Sequence, residues 1–300
     1  MADQPLSRWF GSAAAALAVL VSAHAYAQTH YELVLLGGQS NMGGSDAPPS
    51  GLPTTPVNLQ LPQDDVFFFY RQNGQGNAVQ TTLRPGTGNG GAFGPEVTFG
   101  RAVADALPQT SLGLVKHARG GTSLADDWDA TNGNVYRDFR ETVDDAVAAI
   151  LANGDSYEIT AMLWTQGESD GLEGTSAQYQ ANLTAFIADV RSRYGAGLPF
   201  FLSQLSINQT AVNNNDPAAL GVIRGAQSAV ASADANTYLI DTDAFGTGSL
   251  HFNAAGQIAL GEAYAAAYLG VVPEPGSLAF VAAGLGGLLP RRRRRDGAYG

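Results

Sequence analysis

Cysteine is absent from all 300 residues, which excludes a disulfide framework, a thiolate metal site and a cysteine nucleophile together. Histidine is scarce: His24, His30, His117 and His251 are the only imidazoles available for acid–base chemistry. Positive charge is scarce as well, with 16 Lys and Arg against 27 Asp and Glu, and six of those cations sit at the ends as Arg8 and Arg291–Arg295. With the end segments set aside, the central chain keeps 10 cations, Lys116 its single lysine, against 24 carboxylates, a balance of −14. Such a surface repels nucleic acid and anionic lipid, and a polyanionic ligand would need a local basic site. It suits a water-soluble protein acting on neutral material.

The two ends read as address rather than fold. Arg8 and Trp9 precede the apolar stretch GSAAAALAVLVSA, which closes on the small-x-small pattern Ala25-Tyr26-Ala27. That is the grammar of a secretory signal peptide over residues 1–27, and the stretch is too short for an ordinary membrane span. At the other end, residues 271–300 hold Pro273-Glu274-Pro275, a short apolar stretch from Ser277 to Leu289, and the five arginines. Like charges directly after an apolar stretch read as a cytoplasmic stop, although the stretch falls short of the roughly 20 residues of a full span. In the order of its parts this segment resembles the PEP-CTERM sorting tail of Gram-negative bacteria. The resemblance implies transient membrane anchoring and a membrane sorting protease as partner, with the mature protein periplasmic, on the outer surface or extracellular.

Between the ends, residues 28–270 read as one α/β domain, long enough to bury a core without staples. The runs YELVLLGG, VFFFYR, SLGLVKHA, YEITAMLW, PFFLSQLS and TYLID are continuously apolar rather than alternating, as strands buried on both faces of a parallel sheet require. Helical patterns lie between them. Val135, Phe139, Val143, Val147 and Ile150 step by three and four along one face, and Tyr179, Leu183, Phe186, Ile187 and Val190 do the same. Helices are also expected at GPEVTFGRAVADALP, over 217–233 and at NAAGQIALGEAYAAAYL. The alternation predicts a doubly wound three-layer α/β/α sandwich. Residues 43–65 and 72–95, rich in Gly, Pro, Asn and Gln, are expected as long surface loops.

In an open parallel sheet chemistry gathers beyond the carboxyl ends of the strands. Gly38-Gln39-Ser40-Asn41 follows the first run, His117-Ala118-Arg119-Gly120-Gly121-Thr122 the third, and Thr165-Gln166-Gly167-Glu168-Ser169-Asp170 the fourth. Asp241-Thr242-Asp243 follows the last, with Leu250-His251-Phe252 just before the final helix. A serine, several acids and a histidine thus share one predicted edge, the composition of nucleophilic catalysis. Ser40 needs a base, and His251 is the imidazole placed to serve; His30 lies at the start of the mature chain and His117 closes a strand. The base needs a carboxylate on its other nitrogen, for which Glu168, Asp170, Asp241 and Asp243 are candidates. The amides of Ser40 and Gly121, with Gln166 or Asn41, are candidate oxyanion donors. Trp128 is a candidate for stacking on a sugar ring and Arg119 for contacting substrate, with Asn41 beside them as a substrate-binding residue; packing of the loop and a surface ion pair are the competing roles for Trp128 and Arg119.

GQSNMGG after the first strand, Gly94-Pro95-Glu96, A-x-GGT-S over 118–123, W-x-QGE-S-D over 164–170 and the late His251-Phe252 occur in order over roughly residues 31–268. This set resembles carbohydrate esterase family six, the SGNH-like group related to sialate O-acetylesterase. The resemblance implies a flavodoxin-like sandwich and serine-dependent hydrolysis of acetyl esters on a sugar or polysaccharide, with no metal or other cofactor. Ser40 matches the nucleophile, His251 the base, and Gly121 with the Ser40 amide the oxyanion hole, with Gln166 nearby. One departure stands out: the family usually carries aspartate three residues before the histidine, and here that position is Gly248. Glu168 is then the first candidate for the acid and Asp243 the second. Two other functions stay open, an SGNH lipase or thioesterase and a catalytically silent polysaccharide-binding surface protein.

Overall fold

The computed structural model describes residues 28–272. The signal peptide and all of the sorting tail beyond Val272 lie outside the described residues.

Chain order is β1 His30–Gly38, α1 Ser40–Gly43, β2 Gln63–Arg71, β3 Ala78–Leu83, α2 Glu96–Ala106, β4 Ser111–Ala118, α3 Asn134–Ala152 and β5 Ser156–Thr165. It continues with α4 Glu168–Leu172, α5 Tyr179–Tyr194, β6 Phe200–Ser203, α6 Thr210–Asn215, α7 Pro217–Ala233, β7 Thr237–Ile240 and α8 Ala254–Leu269. The strands form one sheet of order β3-β2-β4-β1-β5-β6-β7. All pairs are parallel except β2 with β3.

The continuous apolar runs behave as a doubly covered sheet requires. Leu33 and Leu35 of β1 point into a cluster with Val143 and Ile150 of α3, Phe186 of α5 and Ile223 of α7. Val34 and Leu36, one residue out of phase, point into the opposite cluster with Phe99 of α2 and Leu260 and Tyr264 of α8. The helical stripes read from sequence are the buried faces: Val135, Phe139, Val143 and Ile150 on α3, and Tyr179, Leu183, Phe186, Ile187 and Val190 on α5. This is the three-layer sandwich expected. Position 72–95 departs from expectation, because Ala78–Leu83 forms an antiparallel edge strand on β2. The polar alternation of AVQTTL, with one face open to water, hides a strand of this kind inside a loop-like composition.

The order of the sheet puts β1 at its centre, between β4 and β5. The carboxyl ends of these three strands therefore converge on one point.

Candidate active site

The first element of that point is a sharp turn from β1 into α1. Gly38 has φ of 141°, and a Cβ there would lie 2.1 Å from the Thr165 carbonyl oxygen, so only glycine fits. The sheet ladder runs on past it, with the Gln39 amide donating to Thr165 O at 3.0 Å and the Arg119 amide to Gly38 O at 3.1 Å. Ser40 opens the short helix and is 7% exposed. A glycine turn after β4 brings Gly120 against it: a Cβ at Gly120 would sit 3.5 Å from the Ser40 Cβ. Among the described residues the amides of Ser40 and Gly121 donate to no other protein group. Ser40, Gly120, Gly121, Asn73, Asn89 and His251 line one pocket of about 340 Å³. A larger cleft, about 570 Å³, lies at the opposite end of the sheet around His30, Glu32 and Pro199, where His30 Nδ1 meets Ser156 Oγ at 2.9 Å on the exposed start of the strands.

His251 reaches the pocket from the segment before α8, and a buried polar clasp sets its position. Asn41 is fully buried, and its side chain bonds to the backbone on both sides of the histidine. Its Nδ2 donates to Leu250 O at 3.2 Å and its Oδ1 accepts from the Phe252 amide at 2.9 Å. The same Nδ2 donates to Glu168 Oε1 at 2.5 Å. Gln209 Nε2 repeats the pattern, donating to Glu168 Oε1 at 2.9 Å and Leu250 O at 2.8 Å. From α8, Gln257 Nε2 donates to the Asn41 carbonyl at 3.0 Å. Burial pushes the Glu168 carboxyl up from the ordinary range, opposed by the two amide donors.

These bonds correct several assignments made from sequence. Glu168 makes no bond to His251: its Oε1 holds Asn41 and Gln209, and its Oε2 is buried without a partner among the described residues. Nor does Asp243: it forms a two-point pair with Arg224, at 2.7 and 2.9 Å, and accepts from the Ile207 amide at 3.0 Å. Asp170 is likewise consumed, bonding the amides of Leu124 and Ala125 at 2.8 and 3.2 Å. The carboxylate that does meet His251 is Asp46, whose Oδ2 lies 2.8 Å from Nδ1.

Gln166 is not free to serve an oxyanion, because its Nε2 is committed to Thr122 O at 3.1 Å and Asp170 Oδ2 at 2.6 Å. Asn41 offers nothing to substrate for the same reason. Trp128 is fully buried, edge-on to Trp164 at 4.9 Å, and its Nε1 donates to Thr122 Oγ1 at 3.0 Å. It supports the Gly120-Gly121 turn from beneath, the packing role, and presents no ring face to a sugar. Arg119 does not line the pocket, and the ion pairs of the described residues do not include one to Asp126 or Asp127. His117 is a core residue: Nδ1 meets Thr142 Oγ1 at 3.0 Å, and burial pushes its pKa down to about 4, so it is neutral.

Sequence reasoning missed Asp46, Asn73, Asn89 and Gln209. Asn73 has φ of 48°, a left-handed conformation that asparagine tolerates, within a loop whose Gly74 packs on the end of β4. Nothing in their local spacing singles out these residues. They are loop polars brought in by the fold.

A mostly parallel sheet covered on both faces, with a serine turn and a histidine lining one pocket beyond its carboxyl edge, is an SGNH-like α/β/α fold. Over residues 30–270 the chain matches the family model described as carbohydrate esterase, sialic acid-specific acetylesterase, and it belongs to that family. It is a carboxylic ester hydrolase by class. In sequence it is 30% identical over 191 residues to the probable carbohydrate esterase At4g34215 of Arabidopsis thaliana, a match spanning 61% of this chain and 66% of that protein. The crystal structure of the Arabidopsis protein superposes with a TM-score of 0.62, covering 80% of this chain and 98% of that one at 23% identity. NanS shares the fold at a TM-score of 0.61 and 16% identity, with 82% of this chain and 98% of that one covered. XAC1771, a carbohydrate acetylesterase from Xanthomonas citri, does so at 0.57 and 18% identity, over 79% and 56% of the two chains.

Proposed function

We propose that this protein is an exported serine esterase that removes acetyl groups from carbohydrate. The observation that carries the reading is the single pocket lined by both Ser40 and His251, with the Ser40 and Gly121 amides uncommitted beside it. In this mechanism the Ser40 hydroxyl attacks the acetyl carbonyl while His251 Nε2 takes its proton. Negative charge on the carbonyl oxygen is met by the two amides. Collapse breaks the ester C–O bond, and the imidazolium returns the proton to the departing sugar oxygen. Water, deprotonated by the same imidazole, then cleaves the acetyl-enzyme to acetate and free Ser40.

A carbohydrate substrate is supported by family membership. The lipase or thioesterase reading is separated from this one by comparing acetate release from acetylated carbohydrate with cleavage of long-chain nitrophenyl esters. Export rests on the N-terminal grammar and sorting-protease processing on the C-terminal segment; cell fractionation of the full chain against a chain cut before Pro273 tests both. For the chemistry, Ser40→Ala is expected to abolish acetate release from acetylated xylan or O-acetylated sialic acid while the far-UV spectrum stays unchanged. Activity retained above background sinks the serine mechanism, and a wild-type protein that binds these polymers without releasing acetate identifies a silent binder.

A further inference from the structure

We infer that Asp46 is the positioning residue for His251, supplying from the loop after α1 the carboxylate that the chain lacks at position 248. The inference rests on the serine-esterase reading above and names the group that reading leaves unassigned.

Four observations carry it. His251 Nδ1 has one side-chain partner, Asp46 Oδ2 at 2.8 Å, and the pair joins residues 205 apart in sequence. Every acid named from sequence is bonded elsewhere: Glu168 to Asn41 and Gln209, Asp243 to Arg224, Asp170 to the 124–125 amides, and Asp241 to the Asp243 amide at 2.9 Å. Asp46 is also held in place although its side chain is 74% exposed. Its neighbours Ser45 and Ala47 are buried, the Gly44 carbonyl accepts from the Asn89 amide at 2.9 Å, and the Ala47 carbonyl accepts from the Phe93 amide at 3.0 Å. The residue itself has φ of 58°, a conformation uncommon for residues with a side chain and better tolerated by aspartate than by most.

The fourth observation concerns the empty position. The Gly248 amide donates to the His251 carbonyl at 2.7 Å, so the turn leading to the histidine is closed. A Cβ at Gly248 would meet only His251 O, at 3.6 Å, an ordinary contact, and the residue lies outside the left-handed region. Its backbone therefore accepts a side chain. The carboxylate on His251 thus comes from another loop, while the turn at 248 keeps room for one.

A carboxylate on Nδ1 keeps the proton on that nitrogen, leaves Nε2 free to accept from Ser40, and stabilises the imidazolium that follows. The test compares wild type, Asp46→Asn, Asp46→Glu and the double variant Asp46→Asn/Gly248→Asp. Asp46→Asn is expected to lower kcat by roughly 10²- to 10⁴-fold with KM little changed, because a neutral amide on Nδ1 no longer selects the productive tautomer. Asp46→Glu, and independently the double variant, should recover part of the loss. Imidazole ¹⁵N shifts of His251, which need no substrate, should report an Nδ1–H tautomer in wild type and a different population in Asp46→Asn. Wild-type kcat in Asp46→Asn overturns the inference, as does a loss that neither rescue restores together with an unchanged ¹⁵N pattern. If Ser40→Ala stays active, it is the serine mechanism that fails; if Ser40→Ala is dead and Asp46→Asn is not, only the role of Asp46 falls.

Discussion

Asn41 sits next to Ser40 in sequence, yet its side chain holds the backbone around His251, and removing that side chain tests what the hold is worth. Asn41→Ala deletes three buried contacts: donation to Glu168 Oε1, donation to Leu250 O, and acceptance from the Phe252 amide. At about 1 kcal/mol net for each bond, the loss is about 3 kcal/mol before any cost of leaving the Phe252 amide unpaired. For a domain of this size, about 2–4 °C in Tm per kcal/mol makes that a fall of about 6–12 °C. Activity should drop further than stability alone explains, because Leu250 and Phe252 flank His251 and their loosening lets the imidazole leave the pocket. The assay is thermal unfolding paired with initial rates well below the variant's Tm, with kcat and KM separated. A Tm within about 2 °C of wild type would refute the bond count, and a normal kcat in a destabilised protein would refute the claim that Asn41 positions the base.

Two further outcomes follow from the same contacts. Glu168 has its folded-state pKa raised by burial, so its contribution to stability is fully present below the ordinary glutamate range and is lost as pH rises through the raised value. Glu168→Gln keeps the acceptor for Asn41 and Gln209; in urea unfolding from pH 4 to 8 its stability should gain on wild type as pH rises, with kcat held within about tenfold, and a parallel pair of curves would contradict the burial argument. Asp243→Asn breaks a partly exposed two-point pair with Arg224, which should cost on the order of 1 kcal/mol in unfolding free energy and change kcat less than twofold, whereas a loss of orders of magnitude would return Asp243 to the reaction.

The sandwich was legible because burial on both faces of a sheet leaves continuous apolar strands, and the helices between them show their stripes at 3.6-residue spacing. β3 escaped because an edge strand with a wet face shares its composition with a loop. That Ser40, His251 and Gly121 share one pocket was legible for a different reason: chemistry at the carboxyl ends of parallel strands is a topological rule, and strand ends can be found from sequence. The carboxylate that meets His251 was not, because strand ends and the usual spacing before the histidine point elsewhere. Asp46 lies in neither place, and only the packing of residues 44–47 against 88–93 brings its loop to the last turn of the chain. Glu168 misled for an instructive reason. A buried carboxylate in a site motif carries the signature of a catalytic group, yet here it anchors two amides that anchor a loop.

Because β1 is the central strand, Tyr31 lies between Ser111 on one side and Tyr157 on the other, and His251 arrives only after β7. Within the domain Ser40 directly follows the first strand, while His251 comes after the last. A nascent chain can assemble much of its sheet and still have no imidazole over the hydroxyl, and the clasp that holds the base needs Gln257 of α8 to close on Asn41. On the serine reading proposed above, acetate release therefore requires the domain through α8, and its appearance would mark closure of the clasp rather than formation of the sheet.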